Sequence, residues 1–451
     1  MQSVRTADRA PDVTQNGRSL DEPALTFIYR PFFLSGLAAV LTAGCLLGAV
    51  ALLGIAANRS YTSEGWLPYI LAHANSQLFG WVGFFVMGFA LQQHKPSVRW
   101  LTLFYRLAYT SLALVAIGIV LRFFAEALIA ENPEVWMPVG ILSAVCQAIG
   151  VTLFITNIVV TRHRTGKGLT WQTLLVFTSL LWFVLVAWVE PIYFAWSHQS
   201  GTAGTLFVAQ YFPPYREAQF LGFVTMMIFG VALAKMHECF GAKEPSRTLG
   251  LWGYGLWQAG LLVRMIGWVN QFQDGFEGMW RTLYQASGVA LFAGAALLVL
   301  ATRMFESVHP SFPSQKFIRG AFAWLCVAGA LLVLEPFHLR AIGEPFSHAL
   351  TGAIRHAVTV GFISQMIVGV GMHVVARMND LPPERESALW VTFVLLNVGN
   401  AARVFFEIAT DYTAAAFLPM GVTGVLELIA LAWWGAYLVR VMVPRFAPSF
   451  G

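Results

Sequence analysis

Two histidines and three arginines are the residues of this sequence whose types and spacing could perform chemistry. His73 lies seven residues before Gly80, and His356 lies five residues before Gly361. The three arginines share one spacing, because each follows a glycine by 42 residues: Gly80 and Arg122, Gly222 and Arg264, Gly361 and Arg403. We therefore expect the histidines and arginines to lie at similar depth in the fold.

Imidazole and guanidinium groups at one depth match the chemistry of a porphyrin. Two imidazoles can hold its iron axially, and Arg122, Arg264 and Arg403 could neutralise its propionates. Gly80, Gly222 and Gly361, each followed by an aromatic residue, would let a flat macrocycle approach the backbone. The pattern predicts haem, with His73, His356 and His348 as candidate metal ligands. The alternative for each histidine is capping or hydrogen bonding at a helix end.

Three copies of one skeleton must position these residues. In each copy a second glycine follows the first by 8 residues and a third follows it by 38. The copies are Gly80, Gly88, Gly118 and Arg122; Gly222, Gly230, Gly260 and Arg264; and Gly361, Gly369, Gly399 and Arg403. We predict a polar cytoplasmic arm (1–26) and three four-helix repeats (27–162, 163–304 and 305–445) around a pseudo-threefold axis. Close helix packing is the alternative role of the glycines.

The composition places the chain in a membrane. Hydrophobic residues make up 57% of it and charged residues 11%, whereas soluble domains carry about 25% charged residues. Runs of about 20 apolar residues predict twelve transmembrane helices, the sixth near 215–236 and the seventh near 249–270. The expected fold is an all-α polytopic membrane protein. The four scattered cysteines, without a CxxC spacing, indicate neither a disulfide framework nor a zinc site.

Lysines and arginines predict the orientation. Twenty of the 28 lie in the N-terminal arm, in the connections that follow predicted helices 2, 4, 6, 8 and 10, and at the C-terminal end. By the positive-inside rule both termini face the cytoplasm of a bacterial inner membrane, and the repeat arginines lie near the periplasmic face. The net charge of +5 reflects this bias, so we expect no nucleic-acid partner.

At these residues the chain resembles the NnrS family of bacterial membrane proteins. The matching elements are Tyr29-Arg-Pro-Phe-Phe-Leu34, His73-Ala-Asn-Ser-Gln-Leu-Phe-Gly80 and Arg355-His-Ala-Val-Thr-Val-Gly361. The resemblance implies haem and copper bound within twelve spans, and a role in tolerance of nitric oxide and nitrosative stress. The family commonly has His-x-His-Glu at the start of the second helix, where this chain has Asn75 and Ser76. Either one metal is absent or another residue, such as His348, replaces the lost ligand.

Two other functions remain open from the sequence. A transporter or channel for a small anion could use the intramembrane arginines, since Arg264 has Trp268 where Arg122 and Arg403 have a glutamate one turn later. An assembly factor or sensor for a respiratory partner is the third reading. If haem is bound, two histidine ligands favour electron transfer, whereas one would leave a site for a gas.

Overall fold

The computed structural model describes residues 27–443 apart from 62–63, 95, 97, 167, 307–311 and 383–384. The predicted arm at 1–26 lies outside the described residues. Twelve long helices follow one another: α1 Tyr29–Asn58, α2 Leu67–Gln93, α3 Leu101–Leu128, α4 Pro133–Arg164, α5 Trp171–Ser197, α6 Thr202–Phe240, α7 Arg247–Gln273, α8 Gly278–Thr302, α9 Gln315–Ile342, α10 His348–Met378, α11 Trp390–Ala409 and α12 Ala414–Met442.

The helices confirm the all-α polytopic fold. Eleven of them are long and apolar enough to cross a membrane. The exception is α7, which is as long as the others but less apolar because glycines, tryptophans and glutamines interrupt its leucines. No strand occurs in the part of the chain that the structure describes. Many large apolar side chains, including Leu181, Ile192 and Phe405, are exposed, as expected of surfaces that face lipid.

Helix α6 begins 13 residues earlier than its hydropathy predicts. Pro213 and Pro214 lie inside it, although a proline pair usually marks a helix end. The carbonyl oxygen of Ala209, which Pro213 leaves without a helical donor, instead accepts a hydrogen bond from Nε1 of Trp268 on α7 at 3.3 Å. Phe212 and Arg216 therefore lie on the same continuous helix as Gly222.

The helices pack in one cyclic order. In each predicted repeat the first helix contacts the second, the second contacts the third, and the third contacts the fourth. The fourth helix then packs against the first helix of the next repeat, and α12 closes the order by packing against α1. This order agrees with three units around an axis. The pseudo-threefold relation and the repeat boundaries themselves stay predictions.

The second helix of each predicted repeat contains a π-helical segment at its skeleton glycine. The segments are Ser76–Gly83 in α2, Ala218–Val224 in α6 and Ala357–Ser364 in α10. Each begins four residues before its glycine. A π segment widens the helix locally and is often found at functional sites. His73 precedes the segment in α2 by three residues, and His348 and His356 precede the segment in α10 by nine residues and one residue.

The skeleton glycines bring helices into close contact. A Cβ atom added to Gly118 on α3 would lie 2.7 Å from the backbone oxygen of Ser143 on α4 and 2.5 Å from Gln147. The backbone of α4 cannot yield without separating the two helices. We predict that Gly118→Ala destabilises the protein by about 1–3 kcal/mol, measured as a lower melting temperature in detergent.

Gly255→Ala is the matched control. Gly255 also lies within a long helix, α7, but a Cβ atom there would meet nothing within 4 Å. Because alanine favours helix over glycine by roughly 0.5–1 kcal/mol, this variant should melt at the same temperature as the parent or slightly higher. Equal melting of both variants would contradict the close-packing role of Gly118.

Candidate functional site

A cavity of about 330 Å³ lies within one end of the helical bundle. The second helix of each predicted repeat contributes to the wall, together with α1, α11 and α12. The polar and charged lining residues are Tyr61, His73, Gln77, Arg216, His348, Thr351, Arg355, His356, Thr359, Ser364, Arg403, Glu407 and Glu427. Its volume is near the lower limit of the roughly 300–1,000 Å³ typical of ligand pockets.

The structure brings the three candidate histidines to this cavity. His73 and His356 use the same anchor, because Nδ1 of His73 lies 2.8 Å from the backbone oxygen of Gly44 and Nδ1 of His356 lies 2.9 Å from that of Gly352. Among the described residues neither Nε2 atom makes a hydrogen bond. Because a carbonyl oxygen only accepts, Nδ1 carries a proton in both rings, and in a neutral imidazole of this kind Nε2 has the free lone pair.

A glycine gives the His73 ring its place. A Cβ atom at Gly48 would lie 2.5 Å from Cε1 of His73, so the ring lies directly against the α1 backbone. His348 is held less firmly. It is exposed at the cavity mouth, where it packs edge-on against Phe346 with ring centroids 4.8 Å apart. His73 and His356 are thus the fixed pair, and His348 lies at the entrance.

Two of the three skeleton arginines lie away from the cavity in buried ion pairs. Nε of Arg122 donates to Glu126 at 2.7 Å, and its Nη1 lies 2.8 Å from Glu190 on α5. Arg264 contacts Glu217 at 2.7 Å and Glu335 on α9 at 3.0 Å. In both cases the second carboxylate belongs to the first helix of the following predicted repeat. Each of these arginines thus joins two neighbouring predicted repeats through a buried ion pair, which we call a clamp.

The expectation that Arg264 has no matching carboxylate is wrong. Glu217, 47 residues earlier, and Glu335, 71 residues later, neutralise it, and the hydroxyl of Tyr284 accepts a further hydrogen bond at 2.5 Å. The comparison of residues one turn apart on α7 could not reveal these partners, because they lie on other helices.

Arg403 lacks such a clamp and lines the cavity. Its only ion pair among the described residues is with Glu407 on its own helix, at 2.9 Å. Helix α1, which would supply the partner across this boundary, contains no aspartate or glutamate. Nε and Nη1 of Arg403 have no hydrogen-bond partner. The cavity thus forms where the third boundary lacks its carboxylate.

The skeleton glycines predicted to bind a cofactor lie against other helices. A Cβ atom at Gly80 would meet Ala39, at Gly222 it would meet Trp182, and at Gly361 it would meet Trp324. None of these three glycines lines the cavity. The aromatic residue after Gly80, Trp81, does line it and contacts Trp434 edge-on with ring centroids 5.5 Å apart.

Several lining residues were not singled out from the sequence. Arg216 and Arg355 each lie six residues before a skeleton glycine, so their shared position was the available signal. Tyr61 lies in the connection between α1 and α2, and its hydroxyl is 2.8 Å from Oγ1 of Thr410. Burial, and secondarily Glu407, raises the pKa of Tyr61, so its hydroxyl is protonated at neutral pH.

The residues at the family's other ligand positions have different partners. Asn75 exchanges two hydrogen bonds with Gln147 on α4, at 3.0 and 2.8 Å, and Ser76 lies 3.5 Å from the backbone oxygen of Ala39. Within the described ranges no group of three or more histidine, cysteine, aspartate or glutamate side chains could hold a metal ion. The described side chains thus offer no such group for copper, whereas two imidazoles and several guanidinium groups line one cavity.

No family model matches the chain, and no curated protein matches it either. The likeness to NnrS proteins consequently depends on the quoted sequence elements.

The buried clamps make a strong prediction about stability. Replacing Arg122 with methionine would leave Glu126 and Glu190 without their shared cation, although both are buried. Removing one partner from a buried ion pair costs about 3–5 kcal/mol. We expect Arg122→Met to melt at a much lower temperature than the parent, or to yield little folded protein in detergent extracts.

Arg303→Met is the control for that variant. Arg303 also pairs with a glutamate, Glu306, three residues later, but both side chains are more than one-third exposed. Water already solvates these charges, so the substitution should leave the melting temperature nearly unchanged. A similar loss in both variants would show that burial does not govern the Arg122 clamp.

Proposed function

We propose that this chain is a haem-binding membrane protein of NnrS type, with His73 and His356 as the iron ligands. The observation that carries the proposal is the pair of free Nε2 atoms on two anchored imidazoles in one cavity. Histidines that bind metals usually donate their other ring proton to a carbonyl or carboxylate, which fixes the ring and raises its basicity. Both histidines have this arrangement.

The charges of the cavity support the same ligand. Arg403, Arg216 and Arg355 line its wall, and guanidinium groups match the carboxylates that a porphyrin carries. Arg122 and Arg264 are already neutralised by carboxylates and are therefore weaker candidates for this role than Arg403. Apolar side chains such as Leu52, Val82 and Phe220 complete the wall and would exclude water from a macrocycle.

Haem bound here would supply one-electron redox chemistry, or a site for nitric oxide if only one histidine is a ligand. We propose a role in nitric oxide and nitrosative-stress tolerance on the basis of the NnrS resemblance. Copper remains part of that resemblance, but the described donor set gives it no support. An electron-transfer role would require a respiratory partner.

The proposal is tested by the absorption spectrum of the purified protein reconstituted with haem. The parent chain should give a Soret band typical of histidine-ligated haem, and His73→Ala and His356→Ala should each weaken binding by about tenfold or more. His348→Ala should retain the band if His348 is not a ligand. His163→Ala is the control, because His163 is exposed, lies at the C-terminal end of α4 and does not line the cavity. No Soret band in the parent chain would refute the proposal.

We further propose that the chain lies in a bacterial inner membrane with both termini in the cytoplasm and the cavity at the periplasmic end. The apolar surfaces of eleven helices support a lipid bilayer as the surrounding phase. The distribution of lysines and arginines supports the orientation.

Fusions to the C-terminus test this orientation. A fluorescent protein that folds only in the cytoplasm should fluoresce there, and alkaline phosphatase, which needs the periplasm, should be inactive. Fusions after Gly275, in the connection between α7 and α8, should give the opposite pair of results. Phosphatase activity at the C-terminus would reverse the assignment.

Transport of a small anion is the second candidate. The unneutralised guanidinium groups in a cavity that opens at one end favour it. Stacked aromatic side chains, among them Phe183 and Phe223 with ring centroids 3.9 Å apart, fill the core, so transport would require a second conformation. Flux into liposomes that does not depend on His73 would favour this candidate over haem binding.

A further inference from the structure

We propose that Arg216 and Arg355 together form a carboxylate-binding site in the wall of the cavity. The two residues belong to equivalent positions of α6 and α10, six residues before Gly222 and Gly361. Neither residue is one of the skeleton arginines, two of which are held in buried ion pairs away from the cavity. Its position beside the histidines gives the proposed haem site a second point of attachment.

Both guanidinium groups lie near one aromatic ring. The Cζ atom of Arg216 lies 4.8 Å from the ring centroid of Phe212, and that of Arg355 lies 5.2 Å from the same centroid. The two Cζ atoms are therefore at most about 10 Å apart. Both side chains line the same cavity, so one ligand could contact both.

No carboxylate in the described part of the chain forms an ion pair with either guanidinium. Nη1 of Arg216 donates to the neutral amide oxygen of Gln219 at 2.6 Å, while its Nε and Nη2 have no hydrogen-bond partner although the residue is only 2% exposed. The guanidinium group of Arg355 makes no hydrogen bond or ion pair among the described residues. Glu217 and Glu407 act on Arg355 electrostatically, but neither lies within 4.0 Å of it.

This pair contrasts with the other arginines of the same region. Arg122 and Arg264 each have two carboxylates within ion-pair distance, and Arg403 has one. Two neighbouring cations with little access to water repel each other, and unpaired buried charges are costly. An anion between Arg216 and Arg355 would remove both costs, and the forked guanidinium geometry suits a carboxylate.

The carboxylate could come from two sources. The propionate of a bound porphyrin is one, and this source rests on the proposed haem function. A free organic carboxylate is the other, and it requires no haem. Both present the same group to the same two arginines, so separate measurements must distinguish them.

The first measurement compares haem with haem dimethyl ester, in which both propionates lack their charge. If Arg216 and Arg355 hold a propionate, the parent protein should bind haem about tenfold more tightly than the ester, as expected for the loss of a charged hydrogen bond. Arg355→Gln should remove that preference by weakening haem and not the ester. Arg355→Lys should retain part of it, because the charge remains.

The second measurement uses haem-free protein and the propionate ion, with propionamide as the neutral probe. Propionate should raise the melting temperature of the parent chain, and propionamide should not. Arg355→Gln should abolish the increase. Arg340→Gln is the control in both measurements, because Arg340 is exposed and lies outside the cavity. Arg216→Gln provides a second variant should Arg355→Gln fail to fold.

The outcomes separate this proposal from the proposed function. A preference for haem over its ester that depends on Arg355 supports a porphyrin source. Stabilisation by propionate without any haem binding supports a free carboxylate and refutes the haem function alone. Haem binding that requires His73 but treats haem and ester alike, together with no effect of propionate, overturns the carboxylate site and leaves the haem function standing.

Discussion

A guanidinium group inside an apolar helical bundle is costly unless a carboxylate neutralises it, because little water is available to solvate its charge. The structure meets this constraint at two boundaries between neighbouring units, where Arg122 pairs with Glu190 and Arg264 pairs with Glu335. Each pair joins a third helix to the first helix of the next unit. The same contact that neutralises the charge therefore also fixes how the units pack against each other.

The third boundary lacks this contact, and the cavity lies there. Helix α1 contributes glycines and small apolar residues where α5 and α9 contribute a glutamate, so Arg403 keeps two unpartnered nitrogen atoms beside the cavity. Gly48 in α1 gives space to the His73 ring, and Gly352 in α10 does the same for the Glu407 side chain. The predicted boundary without a glutamate on its first helix is thus the one that holds the cavity.

The backbone of the second helices completes the site. A π-helical segment at the same position of α2, α6 and α10 widens each helix just beyond the residues that face the cavity. His73, Arg216, Arg355 and His356 all precede these segments by one to three residues. The two imidazoles and these two guanidinium groups thus precede the same kind of backbone feature and line one cavity.

The sequence alone determined the twelve helices, because apolar runs of membrane length depend only on local composition. It also predicted that His73 and His356 lie at one level, since both are close to a repeated glycine, and both line one cavity. Only the tertiary structure decided which arginines remain available. One partner of Arg264 is Glu335, 71 residues away, and Arg355 of α10 lies near Phe212 of α6, one turn before Arg216. Spacing along one helix defines depth and face, whereas a partner on another helix depends on how the helices rotate and pack.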